Sequence, residues 1–226
     1  MPHRSVIELV GPAGAGKTTI RRLLAAKYGI KGRGVWRMPT HRLLRSGIRL
    51  LPTSLRLWSA AGTLAWEETK HIIRLDALFE LLHGADGRVR RRWILDEGPV
   101  FVFAWLRTMG RAAARPARFA DWWGTELARW RRTVGAIVTL DAPNEILTER
   151  IRARAKAHLL KTTSDAEAAR FLDRYRVAYD ETIADLTAGE GDGPRPDVVR
   201  LRTDEQAPEA IVEELARRLN GRLHAR

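Results

Sequence analysis

Between an apolar run, Val6-Ile-Glu-Leu-Val10, and an amphipathic stretch ending at Tyr28, the chain places Gly11-Pro-Ala-Gly-Ala-Gly16-Lys17-Thr18. The G-x-x-x-x-G-K-[ST] spacing, set between a strand and a helix, constrains the fold more than any other feature of the sequence. Glycines let successive backbone N–H groups curl around phosphate oxygens, and the following helix N-terminus adds partial positive charge. Gly11, Ala13, Gly14, Ala15, Gly16, Lys17, Thr18 and Thr19 are therefore candidate ATP-binding residues. Lys17 would bridge the β- and γ-phosphates and Thr18 would ligate Mg2+. ATP and Mg2+ are the cofactors this loop implies.

The periodicity beyond the loop predicts one α/β domain over residues 1–226, with five short parallel strands and helices on both faces. The expected strands are "SVIELVG", "GVWRM" closed by Pro39, "RRWILDEGP", "AIVTLDAP" and "DVVRLRTD". Between them lie a helix ended by Gly29, two helical segments over 53–83 that start at Thr53 or Ser54, and helices near 100–113 and 119–132. Further helices are expected from an Asn144 cap, over 165–186 and over 207–219, with "GEGDGPRP" as a loop.

The charge is lopsided. Net charge is +13, yet residues 1–140 hold 25 Lys and Arg against 10 acids, while 141–226 hold 15 against 17. No acid stands between Glu8 and Glu67. A field of that sign favours anionic partners: phosphorylated small molecules, nucleic acid or acidic lipid. The absence of cysteine excludes disulfides, thiolate metal sites and cysteine nucleophiles, and accords with a reducing compartment. The six His residues show no ligand-like clustering. The N-terminus lacks the apolar core and cleavage site of a secretory signal, so a cytoplasmic location is expected.

Asp96-Glu97 end the third strand, on the side of the sheet where the phosphate loop lies. Asp96 can reach Mg2+ or serve as base for a substrate hydroxyl. Downstream, "ERIRARAKAHLLK" sets Arg150, Arg152, Arg154, Lys156, His158 and Lys161 within residues 149–161. At the nucleotide end of a sheet, such a segment can close over transferring phosphates and exclude water. A solvated helix face accounts for part of it; a nucleic-acid arm fits poorly, because no aromatics interleave with the charges.

These pieces together resemble the thymidylate kinase-like branch of the P-loop nucleoside and nucleotide kinases. "GPAGAGKTT", "LDEGP", "VTLDAPNEILTERIRAR", "FLDRYRVAYDETI" and "LRTDEQAPEAIVEEL" occur in that order over most of the chain. The resemblance implies a phosphotransferase with a basic lid at about 150–164. It makes Lys17, Asp96, Arg150 and Arg154 catalytic, Arg150 with Thr203, Asp204, Glu205 and Gln206 ATP-binding, and Thr18 and Asp96 metal ligands. Arg37, Asp96, Glu97 and Arg152 become acceptor-binding, beside a helical acceptor region at about 37–83. The chain departs from the family where an Asp-Arg pair is replaced by Asp96-Glu97, and where "WRMPTHRLLRSG" is basic throughout.

The expected acceptor is a small molecule of anionic character, a nucleotide or a nucleoside. A kinase of a sugar, lipid or antibiotic alcohol, and a switch ATPase holding nucleic acid or anionic membrane, are the alternatives. Arg37, Arg42, Arg45, Arg49 and Arg56 supply candidate acceptor cations. Trp36, Trp58, Trp66, Trp105, Trp122 and Trp123 could stack, face lipid or pack in the core. The basic, Leu-rich "HRLLRSGIRLLPTSLRLW" could lie on an anionic membrane, and homodimerisation stays open.

Overall fold

Five parallel strands form one sheet in the order β2-β3-β1-β4-β5. The strands are β1 (Val6–Val10), β2 (Lys31–Arg33), β3 (Trp93–Asp96), β4 (Val134–Asp141) and β5 (Asp197–Arg202). The computed structural model describes residues 6–61, 66–83, 88–89, 91–110, 117–155, 157–188, 195–219 and 223. Leu9 pairs with Asp96 on one side of β1, and Val10 with Thr139 on the other. The central strand thus delivers the glycine loop between the carboxyl ends of β3 and β4, the place where ligands bind in sheets of this kind.

Eight helices cover the sheet among the described residues: α1 (Lys17–Tyr28), α2 (Thr40–Ala61), α3 (Trp66–Leu82), α4 (Pro99–Thr108), α5 (Ala117–Thr133), α6 (Asn144–Arg152), α7 (Asp165–Thr187) and α8 (Pro208–Arg218). The alternation of strand side chains separates two cores. Ile7 and Leu9 pack with Ile20 and Leu24 of α1, Leu147 and Ile151 of α6, and Ile211 and Leu215 of α8. Val6 and Val10 face Leu75 and Leu78 of α3, Phe103 of α4, Trp130 of α5 and Ile183 of α7. The expected single α/β unit with helices on both faces is what forms. Among the described residues no helix is long and apolar enough to cross a membrane.

The second strand is displaced from its expected place. It occupies Lys31–Arg33, while Val35–Arg37 form a 3-10 turn. The cause is close passage over the end of β3: a Cβ on Gly34 would stand 2.4 Å from the Asp96 carbonyl oxygen. There Val35 N–H leaves the ladder and donates to the Glu97 carbonyl at 3.0 Å.

Helix α2 also starts earlier than expected and runs through Pro52. Proline removes the bond to the carbonyl four residues back, which belongs to Ile48 on the exposed side of the helix, where water can serve instead. Asn144 is not a cap either: Pro143 holds that position, and the Asn144 side chain bonds Asp173 and Arg176. Trp122 and Trp123 pack against the core. Residues 189–194 of the loop expected at 189–196 and the side chains of Arg56 and Trp58 lie outside the described residues, as does Lys156.

Strand alternation turns Glu8 toward α4, where its side chain is fully buried. Helix α4 has no side-chain cap of its own at Gly98. Instead Glu8 accepts N–H bonds from Gly98 (3.0 Å) and Phe101 (3.1 Å) on Oε1, and from Val100 (3.0 Å) on Oε2. The carboxylate of the central strand therefore caps the helix that follows Asp96-Glu97. Burial pushes its pKa from 4.5 to about 7, against the three backbone donors, which pull it down. Between those values the folded chain keeps a proton that the unfolded chain has released, so stability falls as pH rises through the window and levels off above it. Glu8→Gln has no such proton. The difference in unfolding free energy between wild type and Glu8→Gln should fall as pH rises from 4.5 to about 7, as read by urea unfolding. A difference that does not change with pH would contradict this reading.

Candidate active site

The glycine loop is seated by two close approaches. At Gly11, with φ 140°, a Cβ would lie 1.9 Å from the Leu140 carbonyl oxygen at the end of β4. At Gly14, with φ 90°, it would lie 2.8 Å from the Leu147 carbonyl oxygen on α6. Both positions thus require glycine for backbone conformation and for space. Lys17 follows at the start of α1 and donates to the carbonyls of Gly11 (2.6 Å) and Pro12 (2.8 Å). Burial lowers the Lys17 ammonium to about 8, while Glu97 and Asp96 pull it back up and Arg154 adds to the lowering.

The acids at the end of β3 divide. Asp96 accepts from Arg21 Nε at 2.9 Å and from Thr18 Oγ1 at 3.3 Å, all through Oδ2. Thr18 and Asp96, 78 residues apart, therefore meet at the end of β3. Mg2+ takes one or two protein oxygens and fills its octahedron with water and phosphate, so this pair fits it. Glu97 adopts a left-handed backbone, φ 74°, the sole non-glycine to do so among the described residues. That strain is held by Gly98 against Glu8 and by Val35 N–H on the Glu97 carbonyl. It turns Glu97 into the cleft.

The cleft holds about 540 Å³. Residues 11–18 form its floor, and Glu97, Trp36, Phe101 and Trp105 form one wall. Tyr175 and Tyr179 of α7, which packs on α4, line the cleft as well, with Arg154 and His158 of the segment after α6. Behind the wall His71 stacks on Trp105 at 3.8 Å and meets Trp36 edge-on at 5.3 Å. Its Nδ1 donates to the Glu67 carbonyl at 2.7 Å; burial lowers the His71 pKa, and its buried Nε2 has no partner among the described residues. Arg74 lies over Trp36 at 4.4 Å, with Nη1 likewise buried and without a partner among the described residues.

The segment expected to form a lid is short and anchored. α6 ends at Arg152, a turn follows, and buried Leu160 returns the chain to the core before Ser164 caps α7. Arg150 reaches away from the cleft floor to Thr203, donating to its Oγ1 and its carbonyl, each at 2.9 Å. Thr203 N–H in turn donates to the Asp141 carbonyl at 2.8 Å, and Arg176 of α7 grips the Asp141 carboxylate at 2.8 and 3.1 Å. The expected adenine turn and the lid arginine are thereby joined.

Other expected residues lie elsewhere. Arg152 donates to the Thr163 carbonyl and pairs with Asp165 at 2.7 Å, and it does not line the cleft. Arg37 is exposed and also lies off the lining. Arg42 and Arg49 turn inward to α3, to the Glu80 carbonyl and to Asp76 and Glu80, while Arg45 is exposed. Thr19 sits on the exposed first turn of α1, and Asp204 is paired with Arg202. Glu205 and Gln206 complete that turn on the surface.

Nothing in the sequence pattern marks Glu8, Arg21, His71, Arg74 or Arg176. The faintest signal is a charged residue inside the otherwise apolar β1 run, which must find partners if buried.

If Arg150 positions the adenine turn through Thr203, Arg150→Met should raise the KM for ATP about tenfold to a hundredfold. That range follows from roughly 1.5–3 kcal/mol for hydrogen bonds made by a charged group. Titration of ATP at saturating acceptor measures it, and an unchanged KM would remove Arg150 from the nucleotide half of the site.

Neither a protein-family model nor a curated protein sequence matches the chain. Solved structures do. Deoxyadenosine kinase from M. mycoides with bound dCTP superposes with a TM-score of 0.55 at 14% identity, covering 95% of this chain and 98% of that one. Shikimate kinase from Bacteroides thetaiotaomicron gives 0.51 at 18%, over 95% and 97%. The YorR protein from Bacillus subtilis, in complex with phosphorylated GDP, gives 0.52 at 12%, over 95% of each chain. At these identities the likeness establishes architecture alone: the chain shares the fold of these three proteins over nearly its whole length.

Proposed function

We propose that this protein is an ATP- and Mg2+-dependent phosphotransferase that acts on a hydroxyl of a small, uncharged, ring-bearing acceptor. Within the thymidylate kinase-like branch, a nucleoside fits better than a nucleotide. One observation carries this choice. Across from Lys17 the acceptor wall is aromatic, its acid is Glu97, and none of Arg37, Arg42, Arg45 or Arg49 lines the cleft. A phosphate acceptor would meet a carboxylate where it needs a cation. A ring can stack on Trp36, Phe101 or Trp105 and present a hydroxyl to Glu97. The names of two neighbours in fold, deoxyadenosine kinase and shikimate kinase, accord with small-molecule alcohols as acceptors.

In this reading the loop N–H groups and Lys17 hold the ATP phosphates, and Arg154 approaches them from the lid. Thr18 and Asp96 would hold Mg2+, which when bound withdraws charge from the phosphate oxygens. Arg21 is a positioning residue that fixes the Asp96 carboxylate. Glu97 takes the proton of the acceptor hydroxyl as that oxygen bonds to the γ-phosphorus, while the bond from phosphorus to the leaving ADP oxygen breaks. The assignment moves the base from Asp96, engaged with Arg21 and Thr18, to Glu97. The segment at about 150–164 keeps its lid role, while the described residues of 37–83 give the cleft no lining and back its aromatic wall through His71.

Two variants test it. Lys17→Ala should abolish phosphotransfer with the fold intact, because Lys17 touches loop carbonyls rather than core. Glu97→Gln should bind ATP normally, yet lose about 10²–10⁴ in acceptor-dependent kcat, the usual range for a general base. Fluorescence titration with an ATP analogue and coupled ADP release, with nucleosides as acceptors, measure both. Glu97→Gln turning over at the wild-type rate would overturn the base assignment.

A further inference from the structure

Helix α2 has two apolar stripes, and only one is used. Its inner stripe packs inward: Leu43 joins the main core, Ser46 is buried, and Leu50 packs beside Ile72 and Phe119. Its outer stripe is Leu44, Ile48, Leu51 and Leu55, which are 66%, 67%, 57% and 52% exposed. The spacing of four, three and four residues aligns them along one side of the helix. Four large aliphatic side chains so exposed, in one row, form a surface that calls for a partner.

The charges around the row indicate which partner. His41 and Arg45 on the same helix are exposed, and Arg37 just before it is exposed as well. Arg37 and Arg45 have no ion pair among the described residues, and residues 9–66 contain no acid. The acids of α3 that pair with α2, Asp76 and Glu80, are already taken by Arg49 and Arg129. A second copy of the chain fits poorly. If Ile48 and Leu55 are treated as the a positions of a helix pair, the flanking e and g positions hold Arg45, Pro52, Gly47 and Ser54. Nothing there could neutralise the Arg45 of a partner helix. An amphipathic helix with an aliphatic row, flanking cations and no anions suits an interface that is apolar below and negative above.

We propose that the outer face of α2 docks on an anionic lipid surface. Leu44, Ile48, Leu51 and Leu55 enter the acyl boundary, and Arg37 and Arg45 lie among the phosphate headgroups. Trp36, 47% exposed and on the cleft wall, sits at the start of this segment, so docking would place the mouth of the cleft beside the surface. The proposal stands apart from the catalytic reading, because it rests on residues that the phosphotransfer scheme does not use.

Vesicle co-sedimentation tests it, with the full chain and vesicles of phosphatidylcholine alone or mixed equally with phosphatidylglycerol. Binding is expected to the mixed vesicles and to weaken with added salt. The double variant Ile48→Gln/Leu51→Gln, altered only at exposed positions, should bind about tenfold or more weakly, given the aliphatic area it removes from the interface. Failure of the wild type to bind mixed vesicles would overturn the proposal, as would equal binding by the double variant. Sedimentation velocity in buffer separates the remaining case: a wild-type dimer that becomes monomeric in the double variant would assign the face to a second copy.

Discussion

A single buried carboxylate joins the two halves of the site. Glu8 stands on the strand that leads into the glycine loop, and it caps the helix that leads out of Asp96-Glu97. Three backbone donors compensate it, each of which would otherwise face the core unpaired at the start of α4. The space is tight: a Cβ on Gly98 would stand 2.8 Å from the Glu8 carboxyl carbon. With that helix start fixed, Glu97 must complete the turn in a left-handed conformation, and its side chain lines the cleft that Lys17 occupies from below. Register between strands thus becomes geometry between the glycine loop and Glu97, the residue we propose as the base.

A second chain of contacts runs on the other side of the loop. The Gly11 and Gly14 backbones rest on the ends of β4 and α6, and Asp141, at the end of β4, is gripped by Arg176. The Asp141 carbonyl receives Thr203, and Thr203 receives Arg150 from the foot of the lid. The segment after α6, the turn at Thr203 and the glycine loop therefore share one support. Buried Leu160 ties the segment after α6 to the core, and Arg154 and His158 of that segment line the cleft.

Features set by local pattern were legible in the sequence. The glycine loop and the parallel sheet follow from a motif and a periodicity read within short windows, and Thr18 and Asp96 were expected at neighbouring strand ends, where they meet. Features set by distant contacts were not. The end of β2 depends on Gly34 passing over Asp96, a contact between residues 62 apart in sequence. Helix α2 ignores Pro52 because the lost hydrogen bond falls on its wet side. The acid-free region suggested an arginine-lined acceptor site; instead Arg42 and Arg49 turn inward to α3 and the wall beside Glu97 is aromatic. Net charge reports what a surface attracts, not which side chains reach a cleft.

The central claim is that this cleft transfers phosphate to a neutral hydroxyl. Phosphorus NMR of the enzyme turning over ATP with Mg2+, with nucleosides and nucleoside monophosphates supplied together, distinguishes the products directly. A new phosphate monoester should appear at the same rate as ADP, with little inorganic phosphate. A new phosphoanhydride would mean that the acceptor carries phosphate and that Arg74, now stacked on Trp36, must turn to meet it. ADP and inorganic phosphate appearing together without any ester would contradict the account outright.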